Sequence, residues 1–392
     1  MGLLAPIFAI SLAVVVVSGS HQSYPGTSSR PILSDSEANT LSESNYFQGW
    51  SPSAINVPSK GDYVVGSGQT YTDIQAAVNA AIKAGGSTRK YIQIMPGTYA
   101  QTVYIKGSVP LTIYGSGSSP TDVKIELTQG ADLSTSSYVN QVNPSGSRYK
   151  DGDPAYSTYS DCASQSSGTI GTTCSSIFWI MSDNVEVYNL QVRNKYASSS
   201  QGQSVALKTD ADKITISNVY LISYQDTLYL GSGKQGVVQR VYVDNTHIQG
   251  DVDFVFGGGT GVFNKVAFTA VSDRHPSGAV IFAPSTHPTN SYGFFVINSV
   301  ITGDSGFLSS KKVSLARAWD AGVSTGGYVA GTSPNGQLEI RSTRIDGVIN
   351  ADAPYTTATS NRAYSGNAGT SRNLNDNNYN RFWEYNNSGD GA

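Results

Sequence analysis

The chain has 392 residues and a formal net charge of -3, with 39% hydrophobic and only 14% charged residues. There is no run of Lys and Arg, which argues against nucleic-acid binding, and a weakly acidic chain is not drawn to a strongly anionic polymer, although a neutralised one remains approachable. Glycine (41), tyrosine (24) and abundant Ser, Thr and Asn suit a turn-rich, all-β extracellular protein better than a helical cytosolic one.

The N-terminus reads MGLLAPIFAISLAVVVVSGS, an apolar run ending in the small residues Ser18, Gly19 and Ser20. It reads as a signal peptide over residues 1–20, without the usual basic start. The competing reading is a membrane anchor, for which the run is short. Residues 21–60 lack periodicity and are expected to pack on the body as an extension, with Trp50 as a docking side chain.

The first regular element is a helix over 72–84. Thr72-Asp-Ile-Gln75 has the form of a capping box, with Thr72 as N-cap. Ile74, Ala77, Val78, Ala81 and Ile82 follow at helical spacing, and Gly85-Gly86 ends the run. Strands of one shape then dominate, each an alternating segment broken by a polar residue. The breaks fall at Asn189, Asn218, Asn245, Asn264, Asn298 and Ser342. The asparagine breaks lie 19 to 34 residues apart, an irregular spacing that suits a solenoid with loops of unequal length. Asparagine tolerates the left-handed backbone such a corner needs. The helix would cover the open end of the stack. A β-sandwich also has short alternating strands, but the repeated form and the lone early helix favour the solenoid. No second core is evident, so residues 61–392 form one domain, with Tyr355 to Asn380 as an irregular outer tail. Cys162 and Cys174 lie in a polar stretch and, in a secreted chain, read as a disulfide worth about 3 kcal/mol. Asn386-Asn-Ser388 is an N-glycosylation sequon.

Asp226, in Gln225-Asp-Thr-Leu-Tyr229, and Asp253, in Asp253-Phe-Val-Phe-Gly257, stand about one period apart. Each adjoins large apolar side chains. Equivalent positions on neighbouring coils stack roughly 5 Å apart, so the two carboxylates should meet. Gln203 would stand one coil earlier, near Gln225. Two close carboxylates cannot both ionise cheaply; one pKa should rise and the other fall. If Arg317 pairs with Asp253, Asp226 keeps the proton. Trp319 shares a strand with Arg317 and offers an aromatic face for a sugar ring.

These segments, Gln203-Ser-Val-Ala-Leu207, Gln225-Asp-Thr-Leu-Tyr229, Asp253-Phe-Val-Phe-Gly257 and Leu315-Ala-Arg-Ala-Trp319, resemble in order the signatures of the pectin methylesterase (pectinesterase) family. Gly97-Thr-Tyr99 and Arg381-Phe-Trp-Glu-Tyr385 add to the likeness, the latter to bacterial members. The chain departs from the pattern at Ser204, Ala316 and Ala318, where the family usually has Ala, Gly and Pro. The resemblance implies a right-handed, single-stranded parallel β-helix and hydrolysis of galacturonate methyl esters in pectin. It implies Asp253 as nucleophile and Asp226 as general acid, then base. It further implies Gln203 and Gln225 as an oxyanion hole, Arg317 orienting Asp253, and Trp319, Phe256 and Tyr229 lining the sugar site. No cofactor or metal is expected. The expected partner is pectin, met outside the cell by a monomer that touches neither nucleic acid nor, once the leader is lost, a membrane.

Other readings fit less well. A polygalacturonase or pectate lyase needs a tighter Asp cluster with a His, or calcium carboxylates with an arginine base. A non-catalytic polysaccharide-binding solenoid would not need both aspartates and both glutamines. Gly322-Val-Ser-Thr-Gly326 matches the Gly-x-Ser-x-Gly pattern, but no helical pattern follows it and it reads as a turn.

Overall fold

A computed structural model describes residues 23–197, 202–231 and 235–392. The expected leader at residues 1–20 lies outside them. Among the described residues no helix is long and apolar enough to cross a membrane.

The chain winds through three parallel sheets. One coil runs along Val185–Asn194 and returns through Leu207–Thr209. The Val185–Asn194 strand turns a corner at Asn189, so its first half pairs with Leu111–Gly115 and its second with Val123–Leu127. We call these the first and second sheets. The third contains Phe178–Ile180, Leu207–Thr209, Leu228–Leu230, Val255–Gly257, Ala279–Pro284 and Val313–Ala316. Apart from a two-stranded pairing of Gly26–Thr27 with Arg30–Pro31, the paired strands are parallel, which excludes the antiparallel sandwich.

Each sheet sends a register-matched ladder inward. In the third sheet it is Phe178, Leu207, Leu228, Val255, Phe282 and Ala316. In the second it is Ile125, Val192, Leu221, Ile248, Phe268, Ile301 and Ile345. All are fully buried. At about 25 cal/mol per Å² of apolar surface removed from water, such columns are the main source of stability.

Corners form where the sequence predicts, with one exception. Asn189, Asn218, Asn245, Asn298 and Ser342 adopt left-handed φ of 46–54°. Asn218 Nδ2 donates to Asn189 Oδ1 at 2.9 Å, so neighbouring corners bond to each other. Asn264 is not a corner. It ends the strand Thr260–Asn264, and Lys265 turns instead with φ 55°. Asn386 makes one more corner, with φ 51°, at the sequon.

The helix is Ile74–Lys83 and caps the start of the stack, burying Ile74, Ala77, Val78 and Ala81. Its N-cap is Asp73 rather than Thr72; Asp73 Oδ1 accepts from the Ala76 N–H at 3.1 Å. Gln75 is then too early to close a capping box. Its amide is buried instead, accepting from Tyr104 N–H at 2.7 Å and donating to Tyr104 O at 2.9 Å.

The helix is not alone. Between Val123–Leu127 and Phe178–Ile180 the chain forms Thr135–Val142, Tyr156–Ala163 and Gly171–Cys174. Cys162 and Cys174 are disulfide-bonded and join the last two. Tyr149 stacks on Tyr159 at 5.3 Å and meets the outward-facing Tyr104 at the same distance. The insertion thus covers the outside of the third sheet at its early end.

The N-terminal segment lies on the outside of the first sheet. Helices Asp35–Thr40 and Glu43–Phe47 set Tyr46 against Phe295 (4.8 Å) and Phe47 against Tyr242 (5.5 Å). Trp50 packs edge-on to Phe47 at 5.7 Å. At the late end, the first-sheet ladder from Ile113 through Val187, Ile216, Val243, Phe263, Val296 and Ile340 finishes at Glu384. Arg30 clasps that buried carboxylate, Nε to Oε1 at 2.8 Å and Nη2 to Oε2 at 2.7 Å. The chain's early and late segments therefore meet on one ion pair. The tail after Tyr355 is irregular and runs back to the last first-sheet strand, Arg381–Tyr385.

Candidate active site

The outside of the third sheet carries the candidate residues. Gln203 and Gln225 pair in a parallel bridge. Asp226 N–H donates to Val252 O at 3.1 Å and Leu228 N–H to Phe254 O at 2.9 Å, which sets Asp226 opposite Asp253 on the next coil. Both aspartates adopt left-handed backbone, φ 69° and 49°. That conformation is uncommon outside glycine, although Asp tolerates it, and it concentrates at functional sites. It breaks the strand alternation immediately before each third-sheet strand. Gly257 supports the same coil: with φ 124°, its missing Cβ would lie 2.1 Å from Leu230 O.

Arg317 extends the strand Val313–Ala316, its N–H bonding Phe282 O at 3.0 Å. Its guanidinium grips Asp253 in a fork, Nε to Oδ1 at 2.8 Å and Nη2 to Oδ2 at 2.5 Å. To get there it must pass the coil between. By register that coil presents Ala283, beside Phe256 on one side and Arg317 on the other. Ala283 is buried there, packed with Phe256 beside Trp319, as the small residue at that register. The sequence reading missed Ala283, whose only signal is its register.

Ala316 and Ala318, the departures from the family pattern, are held by the tail: Thr356 N–H bonds Ala316 O at 3.0 Å and Thr359 N–H bonds Ala318 O at 3.1 Å. Ser204 points into the coil and its hydroxyl lies 2.8 Å from that of Ser223. Trp319 and Tyr229 are half-buried and meet at 6.0 Å. Phe256 stacks on Tyr229 at 4.2 Å and is 4% exposed, so it forms the layer beneath the groove rather than its surface. Lys208, also missed, holds its ammonium 4.0 Å over the Tyr229 ring. Gly97–Tyr99 does not join this group; it is a strand of the second sheet paired with Val123–Leu127. The Gly322–Gly326 segment is a loop of turns, as expected.

Burial pushes the Asp226 carboxyl well above the usual range, and the charge of Asp253 pushes it further, against the opposing pull of Arg317. Burial raises Asp253 as well, while the bond and charge of Arg317 oppose the rise. The expected split, one value up and one down, is therefore a difference of degree: both rise and Asp226 rises more. The pair is arranged to hold one proton on Asp226 beside an arginine-paired Asp253.

Comparison with known proteins identifies the lineage. A sequence profile of the pectinesterase family matches residues 149–325. A pectinesterase of Sitophilus oryzae is 54% identical over 98% of this chain and 100% of its own length. The chain belongs to the pectinesterase family. Pectinesterase B of Dickeya dadantii is 41% identical, over 93% of this chain and 90% of its own. The structure of rice weevil pectin methyl esterase superposes with a TM-score of 0.91, covering 95% of this chain and 100% of that one. The crystal structure of Escherichia coli YbhC superposes at 0.89 with 37% identity, covering 96% and 99% of the two chains. A curated YbhC, 38% identical, is described as a putative acyl-CoA thioester hydrolase.

Proposed function

We propose that the chain hydrolyses the methyl esters of galacturonate units in pectin, releasing methanol and de-esterified polymer. The observation that carries this reading is the register of Asp226 and Asp253, with Arg317 forked onto one of them. Asp253 attacks the ester carbonyl carbon, and the oxygen takes up negative charge. Gln203 and Gln225 donate to that oxyanion, each such donor being worth about 3–4 kcal/mol. The C–O bond to the methoxy group breaks, Asp226 gives that group its proton, and methanol leaves. Asp226, now charged, takes a proton from water; the hydroxide attacks the acyl carbon and Asp253 departs as carboxylate. Arg317 keeps Asp253 ionised, and Trp319 and Tyr229 offer faces to the sugars. Residues 61–392 act as the catalytic domain, with 21–60 as a brace on it. The enzyme works extracellularly as a monomer, and the disulfide suits an oxidising compartment.

The test is methanol release from highly methylated pectin, with and without chelator, while polymer length is followed. Methanol without shortening of the polymer is expected in both. Hydrolysis of an acyl-CoA thioester with no methanol from pectin would replace this reading with a thioesterase.

A further inference from the structure

Asp251 lies two residues before Asp253 on the same coil. Its side chain is fully buried, and Arg274, 3% exposed, clasps it with Nε on Oδ2 at 2.7 Å and Nη2 on Oδ1 at 3.0 Å. Arg274 comes from the connection between Ala267–Ala270 and Ala279–Pro284. Its reach goes further. Nη1 approaches Gly202 O at 3.4 Å, and the guanidinium sits 4.8 Å over the Tyr224 ring. Gly202 and Tyr224 immediately precede Gln203 and Gln225. Asp251 Oδ1 also accepts from the Val252 N–H at 2.7 Å, and Val252 O accepts from the Asp226 N–H at 3.1 Å. One ion pair thus touches the chain beside Gln203, Gln225 and Asp253, and reaches Asp226 through the Val252 peptide.

Such a pair contributes little to stability, since desolvating two charges offsets most of their attraction. We infer that Arg274 and Asp251 are positioning residues, a second ion pair beneath the dyad that fixes the two glutamines relative to the two aspartates and balances the field they feel. The inference rests on the esterase reading of the site. The groups facing Asp226 are Asp253 with Arg317, Asp251 with Arg274, Tyr229 on its own strand, and Tyr224 with Asp273 just before it. The charge of Asp251 raises the Asp226 carboxyl and that of Arg274 lowers it. Removing one partner leaves the other unopposed, so the two single variants act in opposite directions.

The test uses Arg274→Met, Asp251→Asn, the double variant and Arg274→Lys, all checked for folding by circular dichroism and thermal melting. Arg274→Met moves the bell-shaped pH profile of kcat/KM upward by about one unit and Asp251→Asn moves it down by a similar amount. The double variant returns the profile to its starting pH but leaves kcat about 10²-fold low, because the fixed geometry is gone. Arg274→Lys keeps the charge and loses the fork, so its profile stays in place while kcat falls and KM changes little. It also serves if Arg274→Met does not fold. The same opposite displacements are expected, without substrate, in the ¹³Cγ titration of labelled aspartates. That readout separates this inference from the pectin assignment, which fails alone if the unsubstituted enzyme releases no methanol. Single variants that melt lower yet keep the starting kcat, pH profile and titration would make the pair structural and overturn the inference.

Discussion

The outsides of the first and third sheets carry the same device and use it differently. On the first sheet, Glu339 is fully buried and bonded by Arg341 Nε at 2.6 Å, and it accepts from the Tyr46 hydroxyl at 3.3 Å. Burial pushes its carboxyl up to about 8. On the third sheet, Asp253 is also buried, its side chain 10% exposed, and is likewise paired with arginine. The first pair is sealed under the Asp35–Phe47 helices, which close on it with Tyr46. The second has a further carboxylate in register one coil away and an arginine still 27% exposed. A buried, arginine-paired carboxylate is therefore not a site by itself. It becomes one when a second carboxylate must share its protons and the face above stays open.

The sharpest way to break this contrast is to remove the carboxylates. Asp253→Asn and Asp226→Asn should each cut methanol release by a factor on the order of 10³ or more. Either variant with near-normal turnover would end the assignment. Asp226→Asn should also melt at a higher temperature than the parent above neutral pH. The raised carboxyl stabilises the fold only while protonated; that contribution is present below about pH 4 and lost as pH rises through its folded value. The advantage of the variant should therefore vanish towards pH 4. A constant difference across pH would show that the shift is not the cause.

Gln203→Ala and Gln225→Ala should each lower kcat by about 10²–10³ with little change in KM, as expected for donors that act on developing charge. A pure KM effect would make them substrate anchors instead. Ala283→Leu should block the path of Arg317, reducing kcat about tenfold to a hundredfold and moving the acidic limb upward, at an overpacking cost of about 1–3 kcal/mol. An unshifted limb would show that Arg317 reaches Asp253 by another route. The smallest effect should come from the sealed pair. Glu339→Gln should leave methanol release unchanged and remove only the loss of stability that the parent shows as pH rises through about 8. A change in activity would mean that the two faces communicate.

Much of this was legible before the fold was seen, and the failures have physical causes. Four asparagine corners and Ser342 were readable because these residue types suit a left-handed backbone. Lys265 was not, because lysine carries no such signature and Asn264 stood beside it. The dyad was readable because its spacing matches the coil period. Ala283 was invisible because its role is to be small at one register. The Asp251–Arg274 pair was hidden because nothing local joins residues on separate loops. The helical insertion went unread because its core is a stack of Tyr138, Tyr149 and Tyr159 drawn from three polar segments without strong periodicity. Gly97-Thr-Tyr99 marked the lineage without marking the site.

The ion pair between Arg30 and Glu384 spans 354 positions of the chain. Coils can stack one after another during synthesis, but this clasp cannot form until Glu384 has been made. A nascent chain therefore carries an unsealed late edge, and an arginine waiting for its partner, while the 354 positions between them are added. Truncation just short of Glu384 should give a stack with every catalytic group present and one raw edge, the kind of species that aggregates or recruits a chaperone.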